Sequence, residues 1–455
     1  MEINNRLLTR YNVPLPRYTS YPTVPFWEEP VDKSRWQHVF RRQFHNQNSI
    51  GGISLYIHLP YCESLCTYCG CNKIITGNHT VEDDYIETLL KEWNLYLSLM
   101  DERPIIRELH IGGGTPTFFS PGNLRKLVEK ILSKCEIHPR REFSIEGHPN
   151  NTTMEHLKAL HALGFRRISF GVQDNDPAVQ KIINRLQPLE NVAAITAAAR
   201  NVGFSSVNFD LIYGLPLQTV QSITKTMEQT VALKPDRVAF YSYAHVPWAS
   251  RGQRLFDETH LPDAGEKLAL YQTGRKILLQ NGYTDIGMDH FALPADELFQ
   301  AQTANRLHRN FMGYTTAKTT LLIGLGVSSI SDSGNAYVQN EKSIHKYKAA
   351  VHNNELAIFK GYFLNKEDQL FKKYILDIIC KGSTRFNKHD LYLLEQYCFP
   401  RLAGLKKDGL IDYDCCGLQV TVSGKSFTRN ICSAFDLKMI SQKIEQEKYR
   451  YSKAI

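Results

Sequence analysis

The stretch ISLYIHLPYCESLCTYCGC (residues 53–71) joins two patterns in nineteen residues. Its first seven are β-branched and aromatic, which reads as a strand over 53–59. Its last ten hold four of the chain's ten cysteines. Cys62, Cys66 and Cys69 form C-x3-C-x2-C on the loop leaving that strand, and Cys71 follows two residues later. Soft thiolates at such spacing suit zinc or an iron–sulfur cluster. A structural zinc site usually fastens two distant knuckles, and here all the ligands share one loop. A three-thiolate cubane fits better, because it leaves one iron without a protein ligand, and an open position is what chemistry needs. The other six cysteines are scattered and read as ordinary packing.

Outward from this loop, a strand, a turn and an amphipathic helix recur six times. The strands are read at 53–59, 106–111, 142–147, 167–172, 207–214 and 237–244. Thr80 and Asp83 predict a capping-box-like helix start, with Tyr85, Leu89 and Trp93 following at four-residue spacing. Asp176 predicts an N-cap, with Pro177 at the first helical position. Such alternation implies a parallel sheet with right-handed crossovers. An open doubly wound sheet and a complete or partial barrel both satisfy it. Residues 1–50 read as irregular, with four prolines between 14 and 27. Residues 262–283 read as a helix and 319–331 as a glycine-bearing strand or loop. From about 366 the chain reads as helical. Residues 405–427 predict a helix followed by a β-hairpin, a small winged-helix-like module without a basic recognition helix.

With 455 residues, 42% hydrophobic and 22% charged, the chain suits a large α/β core plus an appended module. No apolar run approaches 18 residues, and the start lacks the layout of a secretory signal. A cytoplasmic protein with reduced thiols is expected. The net charge of +8 shows no long basic run, so nucleic acid is not implied.

GGGTP (112–116) follows the second strand, and its glycines allow close backbone approach to a ligand. It is no phosphate loop, since neither G-x-x-x-x-G-K-[ST] nor G-x-G-x-x-G is present. Together with the cysteine loop, and with the aromatic Tyr68 before the third cysteine, it resembles the pattern of radical S-adenosylmethionine (SAM) enzymes. The strings PRYTSYPT, YIHLPYC, CGCNKI, HIGGGTPT, GVQD, FDLIYGLP, GMDHFA, HRNFMGYTT, GVSSIS and RNICSAFD resemble the oxygen-independent coproporphyrinogen III oxidase family. The likeness runs from about residue 16 to 436.

The resemblance implies a partial parallel (β/α)6 radical SAM barrel over 51–365. An N-terminal extension (1–50) would cover it, and a mostly helical, winged-helix-like domain (366–455) would follow. It implies a [4Fe–4S] cluster on Cys62, Cys66 and Cys69, and two SAM molecules. Tyr56, Gly113, Glu146 and Ile330 match positions around the first. Tyr68, Gly114, Thr115, Gln173, Arg185, Asp210 and Ala244 match positions around the second. Cys71 matches a fourth cysteine associated with activity, and with Tyr56 it is taken as catalytic. Most of these positions fall within or just after successive strands, as the C-terminal mouth of a barrel requires. The implied reaction converts two propionates of coproporphyrinogen III to vinyl groups, giving protoporphyrinogen IX. A low-potential electron donor, an electron acceptor and a monomeric state are implied with it. His148 and Tyr68 depart from the family pattern. The rivals are a haem chaperone of the same superfamily, a radical methyltransferase or ring-opening enzyme, and a zinc-stapled nucleic-acid module. Residues 17–22 and Cys71 weigh against the chaperone, and CGCNKI and HRNFMGYTT against the methyltransferase.

Overall fold

The computed structural model describes residues 5–441 and 451–454. The remaining terminal residues of the expected extension and C-terminal domain lie outside the described residues. Six strands form where the alternation places them: β1 (Ile53–Leu59), β2 (Ile105–Gly113), β3 (Glu136–Gly147), β4 (Arg167–Gln173), β5 (Ser206–Tyr213) and β6 (Arg237–Ser242). Each pairs with the next in parallel. A doubly wound sheet reverses its strand order at a switch point. This order never reverses, so the crossovers stay on one side and the sheet curls as part of a barrel. Leu322–Leu325 adds a further parallel strand beside β1. Ile330–Asp332, Ala336–Asn340 and Ile358–Phe363 continue antiparallel from it. Beyond β6, His290–Ala292 and Thr284–Gly287 extend the other edge. The result is one twelve-stranded sheet that does not close.

A hairpin of His308–Asn310 and Gly313–Thr315 stands in the gap. Tyr314 packs edge-on to His290 near one end of the sheet, and Phe311 packs on Tyr337 near the other. Thr315 and Thr316 donate to Glu108 of β2 and Glu142 of β3.

The two faces of the strands differ. Ile53, Leu55, Ile57 and Leu59 are fully buried in one core with the surrounding helices, as are Leu109, Ile111, Val207, Phe209 and Phe240. Each such side chain contributes about 1.5–3 kcal/mol. Alternate positions carry His110, Ser144, Ser169, Asn208 and Asp210, which line an interior cavity. Sheets covered on both faces usually read as continuous apolar runs; here every second residue is polar.

Several expectations are corrected. Residues 33–51 are not irregular but a helix, Lys33–Gly51, capped by Asp32, whose side chain accepts from Arg35 N–H. Trp36, Phe40 and Phe44, four apart, are fully buried in the barrel's core. The helix Val81–Leu97 forms without a capping box: the Thr80 hydroxyl donates to Asn78 instead, at 2.8 Å. β3 starts at Glu136, six residues early, as a polar extension pairing Glu136 and Ile137 with the start of β2. Asp176 does cap Pro177–Ile182.

A second core joins helix Lys366–Lys381 and the remaining C-terminal elements to Tyr11, Tyr18 and Tyr21. There Ile411–Tyr413 and Gly417–Val420 form a hairpin after helix Phe399–Lys407, the helix-and-hairpin arrangement expected, and Ser383–Arg385, from before that helix, adds a third strand beside Gly417–Val420. Among the described residues no helix is long and apolar enough to cross a membrane.

Candidate active site

The cysteine loop leaves β1 and is closed at its base by a short parallel pairing of Tyr61–Cys62 with Ile74–Ile75. Its middle is tied to the segment after β4: Thr67 N–H donates to Ile183 O at 3.0 Å, and Asn184 Nδ2 to Leu65 O at 2.8 Å. The loop after β6 holds its far side. Ser250 donates to Cys69 O at 2.9 Å, and Gln253 Nε2 to Tyr68 O at 2.9 Å and Ala244 O at 3.1 Å.

Cys62, Cys66, Cys69 and Cys71 all line one cavity of about 580 Å3. Thr115 Oγ1 donates to Cys62 Sγ at 3.3 Å, and Arg185 Nη1 stands 3.5 Å from Cys66 Sγ. Cys71 donates to Cys69, which together with nearby Lys73 holds the Cys69 thiol below its usual range. Among the described residues no three Cys, His, Asp or Glu side chains converge as ligands of one metal ion. A cubane asks for something else, since each thiolate holds its own iron at a separate corner. The site fits that group on a second count. Arg185 is positioned by its bond to Gly171 O at 2.6 Å, yet its buried Nε has no partner. It lines the same cavity, ready for an anionic group.

The glycine run is required by the protein's own packing. A Cβ on Gly114 would lie 2.6 Å from Pro60 O, and one on Gly112 2.9 Å from the Glu146 carboxylate. Gly113 has φ +125°, and its N–H donates to Glu146 Oε2 at 3.2 Å. The glycines therefore let β2, the cysteine loop and Glu146 meet.

One polar chain crosses the cavity wall. His58 Nε2 faces Asn72 O at 2.9 Å and must donate, so Nδ1 accepts from the Tyr56 hydroxyl at 3.0 Å. The Tyr56 ring stacks on His110, with centroids 5.9 Å apart. His110 accepts from Ser144 at 2.8 Å and donates from Nε2 to Glu146 Oε1 at 3.3 Å. Withdrawal from water alone would raise the Glu146 pKa; the His110 and Gly113 donors outweigh it and hold it below the usual range. Asp210 is different. Burial pushes it up to about 6, although it accepts from Ser169 at 2.7 Å and Asn208 at 2.9 Å. His148 also lines the cavity, and burial, then Arg185, push it down to about 3, so it is neutral.

The cavity collects every candidate residue except Tyr56, Ala244 and Ile330. Tyr56 sits behind His110, and Ala244 is joined to Tyr68 through Gln253. Ile330 packs with Trp27 and Tyr337. Residues not singled out from sequence are His110, Ser169, Asn208 and Arg237 on the inner face, His290 beside them, and Gln253 behind the loop. The period-two polarity of the strands carries the signal for the first four.

A partial parallel barrel bearing a three-cysteine loop at its C-terminal mouth defines a class, and residues 56–230 match the model of the radical SAM superfamily. The oxygen-independent coproporphyrinogen III oxidase of Pseudomonas aeruginosa is 38% identical over 440 residues, covering 94% of this chain and 95% of that protein. That of Escherichia coli is 38% identical, covering 94% of each. The solved structure of coproporphyrinogen III oxidase from Escherichia coli, described as a radical SAM enzyme, superimposes with a TM-score of 0.89 at 36% identity, covering 96% of this chain and 99% of that one. The chain belongs to the oxygen-independent coproporphyrinogen III oxidase family.

Proposed function

We propose that this chain converts two propionate side chains of coproporphyrinogen III to vinyl groups by oxidative decarboxylation, giving protoporphyrinogen IX in haem biosynthesis without oxygen. The observation that carries this is the relationship to oxidases of that name over nearly the whole chain, at 38% identity. Each conversion removes one hydrogen atom from the propionate, releases CO2 and passes one electron to an acceptor. Bound in the cavity, a [4Fe–4S] cluster and SAM supply the one-electron chemistry that breaks the C–H bond.

Cys62, Cys66 and Cys69 would hold the cluster. Glu146, kept ionised, accepts from an amino group, and Arg185 donates to a carboxylate through its unpartnered Nε. Two SAM molecules are part of the reading. The hydrogen-bonded and stacked set of Tyr56, His110, Glu146 and Gly113 supports grouping the first site. For the second, support comes from the amide of Gln253, which joins Tyr68 to Ala244, and from Arg185, which donates to Gly171 O near the end of β4. Tyr56 and Cys71 are assigned catalytic roles beside the first. Ile330 belongs to the first site through its neighbour Gly324, the register partner of Tyr56.

The same reading includes a cytoplasmic monomer, a low-potential electron donor and an electron acceptor. It also includes three units, at 1–50, 51–365 and 366–455. The test is an anaerobic assay of reconstituted protein with reductant, SAM and coproporphyrinogen III. Formation of the divinyl product is expected. Tight haem binding with no turnover would contradict the reading.

A further inference from the structure

A second cavity, of about 190 Å3, is lined by strand His308–Asn310 of the inserted hairpin. Met312 and Tyr314 of the same hairpin line the catalytic cavity. The other walls of the second cavity come from residues 18–21, residues 318–320 and helix Lys366–Lys381. Its charge is lopsided. Arg309, Lys318 and Lys372 line it, and among the described residues Asp332 is the one carboxylate in its wall. That carboxylate is engaged: Lys372 Nζ stands 3.5 Å from its Oδ2, and Gly334 N–H donates to its Oδ1 at 2.6 Å.

Arg309 is 8% exposed. Its Nε and Nη1 are shut from solvent with no acceptor, and its guanidinium lies over the Tyr314 ring, 4.8 Å from the centroid. A ring face recovers only part of what withdrawing a charge from water costs. Ser20 Oγ, in the same wall, is also buried without a partner. His308 is held neutral there, pushed down to about 4 by burial and then by Lys318 and Lys372. With Lys372 already beside Asp332, the arginine's two unpartnered nitrogens, Lys318 and an unused hydroxyl remain around a small volume without an anionic oxygen of their own, and a guanidinium binds such oxygens in pairs.

We propose that this cavity is an anion-binding site, distinct from the catalytic cavity, that takes one carboxylate or phosphate group. The group has two possible sources: a propionate arm of the tetracarboxylate substrate, which rests on the proposed function, or a free small anion.

Thermal unfolding of the reconstituted protein, with chloride balancing ionic strength, tests this using sodium propionate and inorganic phosphate as probes. Wild type should show a saturable rise in Tm of about 1–3 °C at ten times Kd. The rise should shrink in Ser20→Ala and Lys318→Gln and vanish in Arg309→Met. Lys318 is exposed, so Lys318→Gln keeps the test valid if Arg309→Met folds poorly. Steady-state kinetics separates the sources. A substrate propionate would raise KM for coproporphyrinogen about tenfold in Lys318→Gln with kcat within about twofold. A free anion would leave KM unchanged while the Tm effect stands. No saturable rise in wild type, or the same rise in all three variants, overturns the proposal. The Tm readout does not depend on turnover, so it stands apart from the fate of the proposed reaction.

Discussion

The side-chain amide of Gln253 donates to the backbone carbonyl of Tyr68 at 2.9 Å, across 185 residues of sequence. Gln253 is 1% exposed, and its Oε1 accepts from Val246 N–H at 2.6 Å. One buried amide thus fixes the cysteine loop to the loop after β6. Leaving a buried carbonyl unpaired costs about 1–3 kcal/mol. Gln253→Ala should lower iron and sulfide retained per chain after reconstitution and speed their loss in air, with secondary structure unchanged by circular dichroism. Full retention would show that the loop is held without this link.

Gly114→Ala forces a Cβ to within 2.6 Å of Pro60 O and 2.9 Å of Tyr61 O, both backbone atoms. Overpacking of this kind costs about 1–3 kcal/mol, and here relief comes from moving the cysteine loop. Iron content should fall in Gly114→Ala and hold in Gly77→Ala, where a Cβ meets nothing within 4 Å.

Glu146 offers a charge-assisted acceptor, and such bonds are worth about 1.5–3 kcal/mol. Glu146→Gln should weaken SAM binding on the order of tenfold to a hundredfold, read by equilibrium dialysis under anaerobic conditions. Unchanged affinity would remove Glu146 from the SAM site.

Asp210 gives the pH dependence its sign. Burial raises its pKa to about 6, so the folded chain holds this proton to higher pH than the unfolded chain. Its ionisation therefore lowers stability as pH rises from about 4 to 6. Acceptance from a ligand hydroxyl uses the ionised form, so SAM affinity should climb between pH 5 and 7 and level off above. Asp210→Asn should abolish that climb. His148, neutral across this range, should add nothing to it.

Much of this was legible before any coordinates. β1 runs from Ile53 to Leu59 as its β-branched and aromatic residues indicate, and the cysteine and glycine runs fall at the ends of β1 and β2. Those are local signals, written in neighbouring residues. The helix Lys33–Gly51 was legible too, since Asp32 caps it and Trp36, Phe40 and Phe44 recur every four residues, but the surrounding prolines and aromatics masked the period. The hairpin 308–315 was not legible as an insert. Its strands are three residues each, and its place comes from contacts such as Thr315 with Glu108, 207 residues away. Gln253 is equally silent, because its partners are backbone carbonyls that any residue at Tyr68 or Ala244 would present. The strand order that separates barrel from doubly wound sheet is likewise a property of pairing, which periodicity does not encode.

The most direct measurement compares wild type with Cys66→Ala in anaerobic turnover, counting 5′-deoxyadenosine against protoporphyrinogen IX. The expected result is about two deoxyadenosines per product in wild type, one for each propionate, and neither compound from Cys66→Ala. SAM cleavage without loss of CO2, or product formed by Cys66→Ala, would contradict the assignment of this cavity to propionate decarboxylation.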